Sequence, residues 1–577
     1  MNPLRNSPAL LPSLLICATV AMYACQGNQP STMPDTGGAS SPRSSAAALK
    51  AAATIDEAGL RSVVSYLASD ELEGRGPASE ADAVTQEFLA GSMRDLGLEP
   101  GGHDGQWSQP FDIVGITSHV PDTMKFSGSR GVKELEFWDD FIAASGVQAE
   151  SAVIPESAVV FVGYGIDAPE YQWDDYKGAD LEGKVLLMLN NDPDWDPDLF
   201  QGDRRLYYGR WTYKYEIAAR QGALGAIIIH TTPSAGYPFQ VVQTSWTGEQ
   251  FELPAENEPR CQINAWVTEA AARELVDLAG MDYDSLLESA RSQDFKPVDL
   301  GLTTSLSLKN DLSRVQTANV AGLLRGSDPV LSEEVVIFTA HHDHLGIGEP
   351  NDSGDTVYNG ARDNASGVAQ ILAAAKAAAA LPSPPKRSLL FLFVAAEEQG
   401  LLGSKYYSLH PTFAPGKIAA NINLDSANIW GLTTDLTFIG LGKSSLDTVV
   451  QELAAEQERT VFGDQFPDRG SFYRSDQFNF AKIGVPAIYL NHGTRFIGRP
   501  DGWGKEQKEK YEATDYHQPS DELRDSWNFE GMIQDAQLAF LAGLRIAEET
   551  EMPTWNPGDE FEAARLQALA ALEKVQE

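Results

Sequence analysis

Between about residues 313 and 425 the chain repeats one pattern: a short unbroken apolar run, a polar loop, then a helix-like stretch. The runs are "NVAGLLRG", "EEVVIFTAHHDHLG", "RSLLFLFVAAEEQG" and "IAANINLDSAN", and "NASGVAQILAAAKAAAA" is the clearest helix between them. An apolar run without alternation is buried on both faces, as interior parallel strands are. Such strands alternating with helices predict an α/β fold around a mostly parallel sheet. In that architecture ligands bind beyond the carboxyl ends of the strands. Three of the runs are followed directly by ionisable residues: the histidines and Asp343 of "TAHHDHLG", the pair Glu397 and Glu398, and Asp425.

The rest of the chain is organised around this segment. "TIDEAGLRSVVSYLASDELEGRGPASEADAVTQEFLAGSMRDLGLEPGG" carries two helical patterns broken by the turn Gly74 to Pro77, and opens a first part of the main domain over 54–152. From about Val153 to Asp299 the texture changes to "AVVFVGYGI", "GKVLLMLNN" and "YKYEIAARQGALGAIIIHTT", which reads as a compact β-rich insertion. The main domain resumes over 300–550. An amphipathic helix, "GDEFEAARLQALAALEKVQE", is expected in the tail 551–577.

Charge and cysteine content exclude several functions. With 43 basic and 82 acidic side chains the formal net charge is -39, spread along the chain, which argues against charge-driven binding of nucleic acid or anionic lipid. Residues 1–25 combine Arg5, a short apolar run and small residues before a Ser-, Pro- and Gly-rich stretch, as an export signal does. Ala24–Cys25 resembles a bacterial lipoprotein site, although Met22 and Tyr23 fit it poorly. Lipidation of Cys25, giving a membrane tether, and ordinary cleavage nearby both remain open. The protein is expected to be exported: periplasmic, membrane-anchored or secreted, with a disordered linker over 26–53. Past the signal only Cys261 and Cys25 are available, so a metal has to be held by His, Asp and Glu.

Five short segments supply such residues. In an extended chain His341 and Asp343 share one face and His342 and His344 the other. A histidine ligand commonly needs a carboxylate on its second nitrogen, which His341 with Asp343 could supply, but the same alternation also allows His342 with His344, so spacing does not choose. Asp363 lies in the Gly-rich turn "YNGARDNASG" before the Ala-rich helix, where capping would equally explain it. Glu397 and Glu398 are adjacent and diverge, so one could bind a metal while the other faces a water. Asp425 closes a buried run, and His517 stands in the polar loop "ATDYHQPSDE".

In combination these segments resemble the co-catalytic di-zinc exopeptidases, which include bacterial leucyl-type aminopeptidases and, more distantly, glutamate carboxypeptidases. The motifs "AHHDHLG", "NGARDNASG", "AAEEQGLLGS", "NLDSAN", "RSDQFNFAKIGVPAIYL" and "DYHQPSDE" stand in family order across about 320–550, and "LASDELEGRG" resembles the family's opening segment. The resemblance implies a phosphorylase/hydrolase-like zinc exopeptidase domain, and it makes the insertion similar to a protease-associated domain. It implies two Zn²⁺ per chain bridged by Asp363, one completed by His341 and Asp425, the other by Glu398 and His517. Asp343 becomes the orienter of His341, and Glu397 the general base for a water between the ions. His342 and His344 are left in the loop or behind the ligands. Arg362 departs from the family, where an acid is common, and either tunes the site or faces solvent.

The expected reaction is removal of N-terminal residues from peptides, the ions activating the water and stabilising the oxyanion. A carboxypeptidase or dipeptidase on the same site is the alternative, and would need a cation such as Arg362, Arg469, Arg474 or Arg499 for the substrate's carboxylate. A non-catalytic binding protein is the third reading, against which stands the complete set of ligand candidates and base. No G-x-S-x-G elbow or H-E-x-x-H helix suggests another hydrolase. Oligomeric state and preferred side chain stay open.

Overall fold

The structure, a computed structural model, describes residues 44–576 apart from Asp198, Glu349 and Asp352. The expected export signal and Cys25 lie outside the described residues. The expected linker ends earlier than residue 53. Ala46–Ala52 forms a helix capped by Ser45, whose buried Ala48, Ala51 and Ala52 join the main core. Small apolar side chains at helical spacing let this segment pack instead of staying in water. Among the described residues no helix is long and apolar enough to cross a membrane.

The apolar runs form the sheet that their composition predicts. Strand Val335–His341 lies between Ser388–Val394 and Ile418–Leu424 and is parallel to both, and Ile418–Leu424 is parallel in turn to Ala487–His492. Every residue of the first three of these strands is buried. Antiparallel strands flank the group: Asp435–Ile439 beside Ala487–His492, and the end of Val298–Leu324 beside Ser388–Val394. Helices Ser366–Ala379 and Glu530–Glu548 share the main core with one face of this sheet. Their approach is close: a Cβ on Gly543 would stand 2.2 Å from Phe338.

A second layer of the fold is built on the 27-residue strand Val298–Leu324. Its first part pairs with Thr123–Gly128 and Ser151–Phe161, its middle with Ser108–His119, and its end enters the main sheet. The segment expected to be β-rich holds parallel strands Ser151–Phe161, Val185–Leu189, Gly225–His230 and Ile263–Thr268, with helices Trp211–Arg220 and Glu269–Leu278 beside them. Its core also takes in Met124, Phe126, Leu135 and Phe141, which precede residue 153. The tail helix Glu562–Gln576 docks through Phe561 and Arg565, whose guanidinium donates to the carbonyl of Ile418.

Candidate metal centre

Four elements bring the ionisable residues to one end of the main sheet. His341 is the last residue of its strand, Glu397 and Glu398 follow Ser388–Val394 by three and four positions, and Asp425 directly follows Ile418–Leu424. Asp363 precedes helix Ser366–Ala379, which is held tightly against the Asp425 strand. A Cβ on Gly367 would stand 2.2 Å from Asn364 Oδ1 and 2.4 Å from the carbonyl of Leu424. Asn364 Oδ1 accepts from the backbone N–H of Gly367 and of Ser426, tying the two loops together. Ala396, Ser426 and His517 hold left-handed backbone, with φ of 53°, 61° and 56°. Such positions cost about 1–3 kcal/mol each and are kept where the chain has to turn a side chain into a site.

The two oxygens of Asp363 face different partners. His341 Nε2 lies 3.2 Å from Asp363 Oδ1 and 3.6 Å from Asp425 Oδ1. His517 Nε2 lies 3.4 Å from Asp363 Oδ2 and 3.1 Å from Glu398 Oε2, yet it makes no hydrogen bond with either. All five residues singled out as ligands therefore meet here, as two donor sets sharing one carboxylate. Asp363 and Glu398 together with His344, and His341 with Asp363 and Asp425, each offer ligand atoms close enough for one ion.

Electrostatics favour a cation at this point. Burial opposes charge on His341, but the carboxylates of Glu397, Asp363 and Asp425 hold its pKa well above the ordinary value. Burial also opposes charge on His517, while Glu398 and Asp363 raise it to about 10. Glu398 is lowered to about 2 against its own burial, chiefly by His517. The carboxylates thus draw protons onto both imidazoles, supplying the positive charge that a divalent cation would supply there. The donor set of imidazole nitrogens and carboxylate oxygens suits zinc. Glu397 behaves differently: burial first, then the charges of Glu398 and Asp476, push its pKa well above the usual carboxylate range.

The supporting residues differ in part from the expectation. Asp343 Oδ1 is 3.8 Å from His341 Nδ1, whose nearer neighbour is the Asp343 backbone carbonyl at 3.3 Å. The Asp343 carboxylate instead accepts the backbone N–H groups of Glu397 and Glu398, at 3.1 and 3.3 Å. It thus positions the glutamate pair as well as standing behind the histidine. His344 is more than a loop residue, because its Nδ1 lies 2.8 Å from Glu398 Oε1. His342 pairs with Asp82 at 3.0 Å, away from the donor sets.

Arg362 does not face solvent. It is buried with its guanidinium 4.2 Å from the ring centroid of Tyr511 and 4.7 Å from that of Trp430, and its Nε donates to the carbonyl of Ala427. Of the other arginines considered for a substrate carboxylate, Arg469 pairs with Glu512 at 3.3 Å and Arg499 lies over Trp503. Arg474 is exposed and has no carboxylate within ion-pair distance among the described residues.

Other residues of the site carried no signal of their own in the sequence. Arg75, fully buried, donates to the carbonyls of His342, Asn359 and Gly360 and so fastens two of the ligand loops. Burial lowers its pKa to about 10, against the support of Asp343, Asp521, Asp363 and Glu398. Asp521 accepts from the backbone N–H groups of Arg362 and Asp363, and Ser475 donates to Asp425 Oδ2 at 2.7 Å. Their motifs, "LEGRG", "SDE" and "RSDQ", were visible, but an arginine, an aspartate or a serine in a polar turn is ordinary by itself.

The model of Peptidase family M28 matches residues 319–541. A comparison with curated proteins finds no match. Solved structures similar to this chain include an aminopeptidase from Aneurinibacillus sp. strain AM-1, at 17% identity over 88% of this chain and 97% of that one, TM-score 0.47. A Peptidase M28 precursor from Shewanella amazonensis SB2B aligns at 18% identity over 88% and 97%, TM-score 0.40. A zinc aminopeptidase from Bacillus subtilis aligns at 17% over 85% and 94%, TM-score 0.38. The family match spans the strands and loops that carry His341, Asp363, Glu397, Glu398, Asp425 and His517.

Proposed function

We propose that this chain is a zinc-dependent aminopeptidase that holds two ions. Asp363 would be shared between them, with His341 and Asp425 holding one and Glu398 and His517 the other. The observation that carries this reading is the placement of the two Asp363 oxygens against two separate donor sets. When bound, the ions supply Lewis acidity that acidifies a water and polarises the scissile carbonyl. Glu397 is the general base: its carboxylate stands among the donors, placed to accept a proton from a water held there and to return it to the leaving amine. Asp343 holds the backbone of Glu397 and Glu398, and Arg75 fastens the loops behind them.

The substrate of this reading is a peptide with an unblocked N-terminus. The experiment is metal analysis of the purified protein, followed by mass spectrometry of one peptide offered unmodified, N-acetylated and C-amidated. Two zinc ions per chain and stepwise N-terminal trimming, stopped by acetylation or chelator but not by amidation, is the expected result. Trimming stopped by amidation would replace the reading with a carboxypeptidase, and cleavage of none would leave a dipeptidase or a binding protein. Export through residues 1–25 belongs to the same proposal. The mass of the mature N-terminus distinguishes a lipidated Cys25 from simple cleavage.

A further inference from the structure

Three of the ligand-bearing segments converge on one side chain, that of Arg362, the residue before Asp363. Its guanidinium lies 4.7 Å from the ring centroid of Trp430, in the loop that follows Asp425, and 4.2 Å from that of Tyr511, in the helix that leads to His517. Its Nε donates to the carbonyl of Ala427 at 3.0 Å. Its own carbonyl accepts from Ser366 Oγ, which in turn accepts the backbone N–H of Ala427. Arg362 therefore grips the Asp425 loop twice, by side chain and by backbone. On the other side the ring of Tyr511 is 6.3 Å from that of Tyr516, which stacks on His517 at 3.9 Å.

The backbone of Arg362 is fixed as firmly. Asp521, in the segment that follows His517, accepts the N–H groups of Arg362 and Asp363 at 3.1 and 3.0 Å and the hydroxyl of Tyr511 at 3.1 Å. Arg362, Tyr511 and Asp521 are all buried, so water does not compete for these contacts. Trp430 is braced in turn by His492 and Phe496, whose ring centroids are 5.1 and 6.2 Å away, and Phe496 packs 5.2 Å from Trp503 at the start of the Tyr511 helix. The result is a closed frame in which Arg362 spans from one ligand segment to the other. Side chains on loops keep a working geometry only when their neighbours hold them to within about 0.5 Å. A planar guanidinium packed on ring faces, with one N–H fixed on a carbonyl, has fewer ways to shift than the flexible ammonium of a lysine.

We propose that Arg362 is a positioning residue that couples the two halves of the metal centre. It sets the Asp425 loop and the His517 segment at one separation about Asp363, so that both ions depend on it. Closing the turn before helix Ser366–Ala379 needs only the backbone of Arg362 and gives its side chain no reason to pack on Trp430 and Tyr511. Support of a single ligand loop would need only one of the two rings. The proposal rests on the two-ion reading above and adds the residue that joins the two sites.

The test measures zinc affinity by chelator competition in the full chain, one site at a time. Asp425→Ala removes a ligand of the first set and His517→Ala one of the second, so each background reports the other ion. Arg362→Gln is expected to weaken zinc binding at least about tenfold in both backgrounds. Weakening in one background only, or in neither, overturns the coupling. Arg362→Lys keeps the charge but neither the planar face nor the Nε donor, and should stay weakened in both; full recovery would reduce the role to charge and overturn the clamp. Arg387→Gln is the control for lost stability alone, because Arg387 is buried at the opposite end of the same sheet, on Glu334 and the carbonyl of Ile546. A fall in zinc affinity of the same size in Arg387→Gln would make the effect one of stability and overturn the proposal. If Arg362→Gln does not fold, Trp430→Leu decides in the Asp425→Ala background, where the Trp430 loop carries no ligand: weakened zinc binding supports the coupling and unchanged binding overturns it. Wild type that binds zinc but cleaves no peptide means that the aminopeptidase reading has failed, and the zinc affinities still decide the coupling. Wild type that binds no zinc removes the metal centre and this proposal together.

Discussion

Beyond strand Val185–Leu189 stands Asp192, and around it gather Asp175, Lys214 and Arg205. Beyond Val335–His341 and Ser388–Val394 stand Asp343, Glu397 and Glu398, and around them His341, Asp363, Asp425 and His517. Both clusters are acids after buried parallel strands, and a sequence scan cannot separate them. In the first, acids and bases balance and the backbone satisfies them. Asp175 accepts from Ile166 N–H and Trp173 Nε1, Asp192 accepts from Leu206 N–H, and Lys214 Nζ donates to the carbonyls of Tyr164 and Asn191. Burial moves Asp175 and Asp192 up to about 7 and Lys214 down to about 7, so the cluster approaches neutrality by itself. In the second, carboxylates outnumber bases, and Nε2 of His344 and of His517 are buried without hydrogen-bond partners. A buried cluster that closes its own charge and hydrogen bonds is structural, and one that leaves both open is built for something from outside.

The contrast can be broken most sharply at Glu397. Glu397→Gln should lower kcat/KM by about 10²–10⁴ while metal content, read by elemental analysis, stays unchanged. Loss of metal instead would make Glu397 a ligand. Asp343→Ala removes the acceptor for two backbone N–H groups behind the ligands. It should weaken metal binding by about 10–100-fold in a chelator competition. Lys214→Met, in the closed cluster, should cost about 1–3 kcal/mol in denaturant unfolding by stranding two buried carbonyls, with metal content untouched. An effect of Lys214→Met on metal binding would join the two clusters.

The smallest expected effect is one of pH. In metal-free protein the raised pKa of His517 gives the folded state more bound protons than the unfolded state between about 6.5 and about 10. That contribution to stability is complete below the unfolded pKa and is lost as pH rises through the folded one. Metal-free protein should therefore lose at least roughly 2 °C in Tm across this window relative to zinc-loaded protein, whose imidazoles are deprotonated throughout. Equal pH dependence of the two forms would remove the histidine from the metal centre.

Much of the main sheet could be read from the chain because its signal is local. The interior strands show as unbroken apolar runs, and burial on both faces allows few alternatives. The two opening helices are local for the same reason. The second layer was less legible: a run such as "GKVLLMLNN" shows a strand but not its partners. The long strand Val298–Leu324 joins both layers through pairings up to about two hundred residues apart in sequence.

The sequence by itself determined which residues could act as ligands and on which kind of sheet end they would sit, because residue chemistry and hydrophobic pattern are properties of short segments. Only the tertiary structure decided that the two oxygens of Asp363 face different donor sets, that Asp343 grips the glutamate backbone, that Arg362 is stacked inside the protein and that Arg75 fastens the loops. Distances and fields between side chains far apart in the chain exist only once packing has brought them together. The same packing leaves the charges of Lys214 and its neighbours closed and those around Asp363 open.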